Sequence, residues 1–368
     1  MHSRTLQIGG FAHVDTVFLG GGLPPVIQTM WKDCLSFFDL EGESGEALIA
    51  RIEGLRKMGC GLLRFAVPDL IAAEVIGNLA SMVSMPLVAD IHNDHKIALR
   101  CLDFPIAKIR INPGNIGDRA KVGQVVNKAA ANSRPIRIGV NAGSLPMDIR
   151  QRVDSGSLES AEALVLAAER EISVFHEFSF NTFLVSMKAS SVADTIKANR
   201  IFAERSDVPL HVGVTEAGPL IAGVVRNAAA LVTLLGEGIG DTIRVSLSDA
   251  MENEVIAGRE ILETVRELKG AAGERRGVRI VSCPRCGRCG FDTHDFTALW
   301  LDRLYAMDKN ITVAIMGCEV NGPEEARHAD IGITGVGDKV LIFSKGKVIR
   351  TIDAVDADAA FEEELGRL

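Results

Sequence analysis

Through roughly the first 250 residues, short β-rich apolar runs alternate with stretches whose apolar positions recur every three or four residues. Strands are predicted to begin near Pro25, Leu62, Pro86, Ala107, Ile136, Thr182, Leu210 and Thr242. The first intervening helix carries Leu48, Ile52 and Leu55 on one face, with Ser44 as N-cap and Gly59 as its stop. Helical spacing returns at Val122, Val125, Val126 and Ala129, and again at Leu158, Ala161, Val165, Ala168 and Ile172. Val192 and Ile196, the run from Ala228 to Leu235, and Ile256, Ile261 and Val265 supply the rest. Eight strand–helix alternations predict an α/β fold of the (β/α)8 TIM-barrel type. An open doubly wound sheet fits less well, because its Gly-rich dinucleotide turn is missing after the first strand.

The pattern breaks at Lys269-Gly270-Ala271-Ala272-Gly273-Glu274-Arg275-Arg276-Gly277, which is charged, Gly-rich and non-periodic. Beyond it come a strand at Val278–Val281, a helix at Phe296–Met307 and a strand at Ile311–Met316. Short strands near Ile331, Val340 and Val348 and a last helix ending at Leu365 complete the pattern. The expected domains are a barrel over 1–268, a linker over 269–277 and a small α/β domain over 278–368.

Composition narrows the function classes. A 368-residue chain with 47% hydrophobic and 24% charged residues can bury a sizeable core. Its formal charge of −8 argues against a nucleic-acid-binding surface. No apolar run is long enough for a membrane span, and the first residues carry no secretory pattern. The cysteines number seven, an odd count that points to reduced thiols and a cytoplasmic location. Cys34, Cys60 and Cys101 are expected in the core; Cys283, Cys286, Cys289 and Cys318 cluster near the C-terminus.

Polar residues at the C-terminal ends of barrel strands are usually catalytic. The predicted ends carry Gln28-Thr29, Arg64, Asp90 with His92, Arg110 with Asn112, and Arg137 with Asn141. The remaining ends carry Ser186 with Lys188, Thr215 with Glu216, and Arg244 with Ser246. One strand-end arginine is an ordinary salt bridge. Cations converging from several strands repel one another unless an anion lies between them. The pattern therefore points to a small substrate with more than one phosphate charge, and the absent GxxxxGK[ST] sequence argues against nucleoside triphosphates. His92, Asp90 and Glu216 are the candidate acid–base or hydroxyl-binding groups, whereas His211 reads as a core or lining histidine.

The thiols Cys283, Cys286, Cys289 and Cys318 could hold zinc or an iron–sulfur centre. A zinc ribbon usually pairs two CxxC knuckles, and Cys318 has no second cysteine beside it. The segments SCPRCGRCGFD and MGCEVNGPEEARHADIGITG, together with ADIH, RINPGNIG, IRIGVNAGS, MKAS, VTEAG and GIGDTIRVSL in that order, resemble the 4-hydroxy-3-methylbut-2-enyl diphosphate synthase family. The resemblance spans about Pro25 to Gly335 and is carried by many separate blocks.

What it implies is specific. The fold would be a barrel joined to a small 4Fe–4S domain, and the working form a homodimer in which one chain's cluster domain caps the other's barrel. The reaction would be reductive ring opening and dehydration of 2-C-methyl-D-erythritol 2,4-cyclodiphosphate, with ferredoxin or flavodoxin as electron donor. The cluster ligands would be Cys283, Cys286 and Cys318, with Glu325 as a replaceable fourth ligand and catalytic residue alongside Glu216. Substrate-binding positions would be Arg64, His92, Arg110, Asn112, Arg137, Asn141, Lys188, Thr215, Arg244 and Ser246. The Gly-rich linker would act as a hinge that lets the domains close on substrate.

Two departures stand out. Cys289 occupies a position that is usually Thr or Gln, and its spacing is expected to aim it away from the cluster as a free thiol. Trp31-Lys32-Asp33 replaces small polar residues at the pocket rim. Alternatives are a paralogous iron–sulfur enzyme acting on another phosphorylated substrate, or a zinc-stabilised protein that only binds a phosphate ligand.

Overall fold

A computed structural model describes residues 3–270, 277–284, 286–287, 289–318 and 320–368; the side chains of Pro113, Val320, Asn321 and Glu325 lie outside that description. The expected linker therefore falls mostly outside the described residues, at 271–276. The chain divides into two compact units, Met1–Ala272 and Gly273–Leu368.

The first unit opens with an antiparallel hairpin, β1 (Leu6–Ile8) and β2 (Val17–Leu19), which the hydrophobic pattern did not predict. Eight parallel strands follow: β3 (Val26–Met30), β4 (Cys60–Ala66), β5 (Leu87–Asp90), β6 (Lys108–Ile111), β7 (Ile136–Asn141), β8 (Phe183–Lys188), β9 (His211–Val212) and β10 (Thr242–Ile243). Neighbours in sequence are neighbours in the sheet, and β10 also pairs with β3. A bridge between Val185 and Leu210 completes the circle. The barrel expected from strand–helix alternation is the fold observed.

Outer helices span Gly42–Lys57, Leu70–Met82, His95–Cys101, Arg119–Ala131, Ser160–Glu177, Val192–Arg205, Leu220–Gly236 and Met251–Leu268. Asp69, Asp94, Asp118 and Ser191 cap four of them by accepting a backbone N–H of the first turn. Ser44 does not play that part. Gly42, at φ +53°, opens the helix, so the N-cap is Glu41, three residues before Ser44. Cys60 and Cys101 are buried as expected, whereas Cys34 is exposed on the loop after β3.

Side chains two apart on a strand point the same way. The barrel interior therefore changes character along its axis. At the N-terminal end Leu62, Val88 and Leu184 pack with Leu6, Ile8, Val14 and Leu19 of the hairpin segment, forming an apolar plug. Two residues further on stand Arg64, Asp90 and Ser186, and Lys188 lies two beyond Ser186. No helix among the described residues is long and apolar enough to cross a membrane.

The second unit is a mixed sheet in the order β11 (Arg279–Ser282), β12 (Thr312–Met316), β13 (Ile331–Val336), β14 (Lys339–Ser344) and β15 (Lys347–Asp353). The first three strands are parallel and the last two antiparallel. Helices Thr293–Tyr305 and Ala357–Gly366 bury Phe296, Trp300 and Phe361 against Val313, Ile333 and Ile342. Ala314, Met316 and Phe343 pack instead with Ala326, Ala329 and the partly buried Cys283.

Candidate active site

The barrel interior gathers cations. Asp90, Arg110 and Arg137 are register partners on three neighbouring strands, so their side chains enter the barrel together. Arg110 donates to Asp90 at 3.1 Å and Arg64 lies 3.4 Å from its other oxygen. Arg137 donates to Ser186 Oγ at 2.6 Å. Lys188 ends β8 and is buried. Arg244, just past β10, makes a two-pronged contact with Glu254 at 3.1 Å for each prong. The five strand-borne cations expected from sequence are thus brought within electrostatic reach of one another inside the barrel. Their depth differs from the expectation: Arg137 is the second residue of β7 and sits well below a strand end.

Two further charged groups were not anticipated. Lys108, the first residue of β6 and completely buried, donates to Gln28 Oε1 at 3.2 Å. Burial, and then Arg137 and Arg64, push its amine well below the ordinary lysine value. Glu254 lies on the helix Met251–Leu268, which buries Met251, Val255, Gly258 and Ile261. A carboxylate among these apolar face positions was the available signal for it.

Burial likewise lowers Lys188, reinforced by Arg137, Arg244 and Arg64 and opposed by Glu254. His211 is buried with its Nδ1 3.4 Å from Thr242 Oγ1, and burial followed by Lys188 pulls it well below the usual histidine range. It lines the cavity as a neutral ring. Burial alone would raise Asp90, but Arg64, Arg110 and Arg137 outweigh it and hold the carboxyl below its usual range.

The donors outnumber their acceptors. Arg64 Nε, Arg110 Nε, Arg137 Nε and Nη2, Gln28 Nε2 and His211 Nε2 are all buried without a hydrogen-bond partner. Buried N–H groups are rarely left unpaired, and an anion with several oxygens would satisfy a set such as this. Gly139 makes room for the Arg110 guanidinium: a Cβ there would lie 2.4 Å from its Nε and 2.6 Å from its Nη2. Because Asp90 anchors that guanidinium, Gly139→Ala is expected to leave the barrel folded yet weaken pyrophosphate binding roughly ten- to a hundredfold by calorimetry. Unchanged affinity would show that Arg110 has no part in anion binding.

The mouth holds the remaining predicted residues. Asn112 is buried and Asn141, Thr215 and Ser246 are half-buried, while Glu216 and His92 are exposed. His92 Nε2 stands 3.8 Å from Asp90 Oδ2. Glu216 adopts φ +53°, a strained setting for a non-glycine residue. It is held between Thr215, whose N–H reaches Ala189 O at 3.1 Å, and Gly218, whose carbonyl accepts from Ser248. Two of the three altered rim residues turn inward, while Asp33 stays exposed beside Arg51. Trp31 is buried and stacks on Phe65 at 5.6 Å, and Lys32 donates to Glu254 at 2.6 Å.

In the second unit the adjacent parallel strands β11 and β12 end side by side. They deliver Cys283 and the Gly317-Cys318 turn to the same edge. Gly317 N–H donates to Cys283 Sγ at 3.1 Å. A Cβ on Gly317 would lie 3.4 Å from that sulfur and 2.6 Å from Cys289 Sγ, so the glycine keeps a cradle open between thiols. The spacing does not carry Cys289 away from this cradle, although its thiol hydrogen goes to Phe291 O at 2.7 Å. Cys286 is exposed and Cys318 buried. Cys318 leads into a π-helical segment, Val320–Glu325, a rare geometry found often at functional sites. Among the described residues, no three His, Cys, Asp or Glu side chains converge as a single metal ion requires. The donor set, thiols spread around a glycine with an N–H aimed at sulfur, fits a larger thiolate-held group.

Two family models match the chain. The GcpE TIM-barrel domain matches residues 11–259 and the GcpE protein C-terminal domain matches residues 279–367. A 4-hydroxy-3-methylbut-2-en-1-yl diphosphate synthase (flavodoxin) from Treponema pallidum (strain Nichols) is similar at 48% identity, covering 100% of this chain and 92% of the relative. The protein of that name from Treponema denticola is 46% identical over 99% of this chain and 98% of its own length. Another, from Thermodesulfovibrio yellowstonii, is 40% identical with coverage of 99% and 98%.

Proposed function

The chain belongs to the GcpE family of 4-hydroxy-3-methylbut-2-en-1-yl diphosphate synthases, and we propose that its barrel binds the cyclic diphosphate substrate while its second unit holds the redox centre. The enzyme is an oxidoreductase of the non-mevalonate isoprenoid pathway. It opens the ring of 2-C-methyl-D-erythritol 2,4-cyclodiphosphate reductively and removes water to give 4-hydroxy-3-methylbut-2-enyl diphosphate.

The unpartnered N–H groups of Arg64, Arg110 and Arg137 inside the barrel carry the substrate assignment. They stand ready for phosphate oxygens and stabilise the charge that develops as the ring C–O bond breaks. Asp90 fixes Arg64 and Arg110, Arg244 adds charge from the far side, and Lys188, its basicity lowered by burial, is a further N–H donor. Asn112, Asn141, Thr215, Ser246 and His92 orient the sugar-derived portion at the mouth. Glu216 handles a proton there.

Cys283, Cys286 and Cys318 would hold a 4Fe–4S cluster with Glu325 as a displaceable fourth ligand, and the cluster would supply the two electrons and a Lewis-acidic iron. The Gly317 N–H on Cys283 supports that assignment by stabilising charge on the sulfur. Flavodoxin, after which the relatives are named, is the electron donor this reading takes, with ferredoxin as the alternative. The working form is a cytoplasmic homodimer in which the redox unit of one chain serves the barrel of the other. The rim change that kept another substrate open carries less weight, since Trp31 stacks on Phe65 and Lys32 pairs with Glu254.

Anaerobically purified protein supplied with reduced flavodoxin and the cyclic diphosphate is expected to be brown, absorbing broadly near ~400 nm, and to form the linear diphosphate. A colourless zinc-holding protein without turnover would overturn the proposal.

A further inference from the structure

Glu254 is the most heavily contacted carboxylate described in the barrel. Its side chain is 1% exposed, yet it accepts from Thr29 Oγ1 at 2.7 Å, Lys32 Nζ at 2.6 Å and the Leu247 N–H at 3.0 Å. It also takes both prongs of Arg244, Nε on one oxygen and Nη2 on the other. Burial alone would raise its pKa, but Arg244, Lys32 and Thr29 together hold it ionised below the usual range. Thr29 belongs to β3 and Arg244 follows β10, the first and last strands of the circle, which pair directly. Arg244 faces Arg64, Arg137 and Lys188. Without a counter-charge behind it, repulsion from those cations would drive its guanidinium out of the cavity.

We infer that Glu254 is a positioning residue: it touches no substrate, but fixes Arg244 in the orientation that meets a substrate phosphate oxygen. The inference rests on the diphosphate reading of the cavity. Two effects of removing Glu254 have opposite signs. Loss of a negative charge beside a cationic pocket draws an anion in more strongly. A loosened Arg244 weakens binding, because the substrate must then order the guanidinium and Lys32 has no anchor.

The test is Glu254→Gln alone and combined with Arg244→Met, reading KM, kcat and the Kd for the cyclic diphosphate by calorimetry. Thermal midpoints are followed in parallel. Glu254→Gln is expected to raise KM and Kd about tenfold, the cost of ordering freed side chains, with kcat changing less. In the Arg244→Met background it is expected to cause no further loss of affinity, since only the loss of negative charge is then felt. An unchanged or tighter Kd in the single variant overturns the proposal, as does an equal tenfold loss in the Arg244→Met background. If Glu254→Gln fails to fold, Glu254→Asp keeps the charge while shortening the reach, and an unmoved Kd there is equally fatal. Wild-type protein runs in the same assay: no turnover condemns the diphosphate reading, whereas normal turnover with an unmoved Kd in the variants condemns the role of Glu254 alone.

Discussion

Arg137→Met is expected to cost the enzyme about 10²–10³ in turnover while making the free barrel more stable. The arginine is 2% exposed, and among the described residues its side chain bonds only to Ser186, through Nη1; Nε and Nη2 have no partner. Burial, then Arg64 and Arg110, depress its basicity, with Asp90 only partly opposing them. Such a charge opposes folding, and replacing buried ionic groups with apolar ones of similar volume often stabilises by about 1–4 kcal/mol. Methionine fills much of the same space without an N–H to satisfy. Thermal unfolding of both proteins, with and without sulfate, checks the stability half. Sulfate should raise the wild-type midpoint more than that of the variant, because an anion bound only to the folded state stabilises it by mass action. A variant less stable than wild type in the absence of anions would show that the chain already compensates Arg137.

The second large effect concerns the thiols. Cys283→Ser and Cys318→Ser are expected to abolish both the brown chromophore and turnover, whereas Cys289→Ser keeps both. Cys283 Sγ accepts an N–H from Gly317, leaving it free to bind metal, while Cys289 donates its own hydrogen to the Phe291 carbonyl oxygen. Sulfur position alone would not separate them, since both stand against Gly317. Glu325→Ala is expected to retain iron but lose at least about 10²-fold in turnover, in the range for removing a positioned catalytic proton donor or acceptor. Iron per chain, visible absorbance and turnover are measured on each variant after anaerobic reconstitution. Loss of iron in Cys289→Ser, with its retention in Cys318→Ser, would reverse the ligand assignment.

Much of the barrel was legible because its strands keep one rule: an apolar residue at one end and a polar one at the other. Leu62 with Arg64 and Val88 with Asp90 illustrate it. The hairpin Leu6–Leu19 escaped because three-residue strands separated by glycines give no periodicity to count. Lys108 escaped for a different reason. It begins a strand rather than ending one, and only its two-residue spacing from Arg110 marks it as inward. Arg137 was found, though placed too high, since its depth depends on register with Arg110. Glu254 was invisible to strand-end logic because a helix supplies it. The cysteine spacing located the second site, but which sulfur receives an N–H and which gives one away depends on the Gly317 turn.

The plug of Leu6, Ile8, Val14 and Leu19 against Leu62, Val88 and Leu184 has a kinetic meaning as well as a packing one. A barrel stoppered at its base is a blind well: whatever enters at the rim must leave by the rim. Substrate cannot displace product from behind, so the two must take turns at a single doorway. The linear diphosphate, still carrying the charges that drew its precursor in, has to climb out past the same arginines before the next molecule can descend.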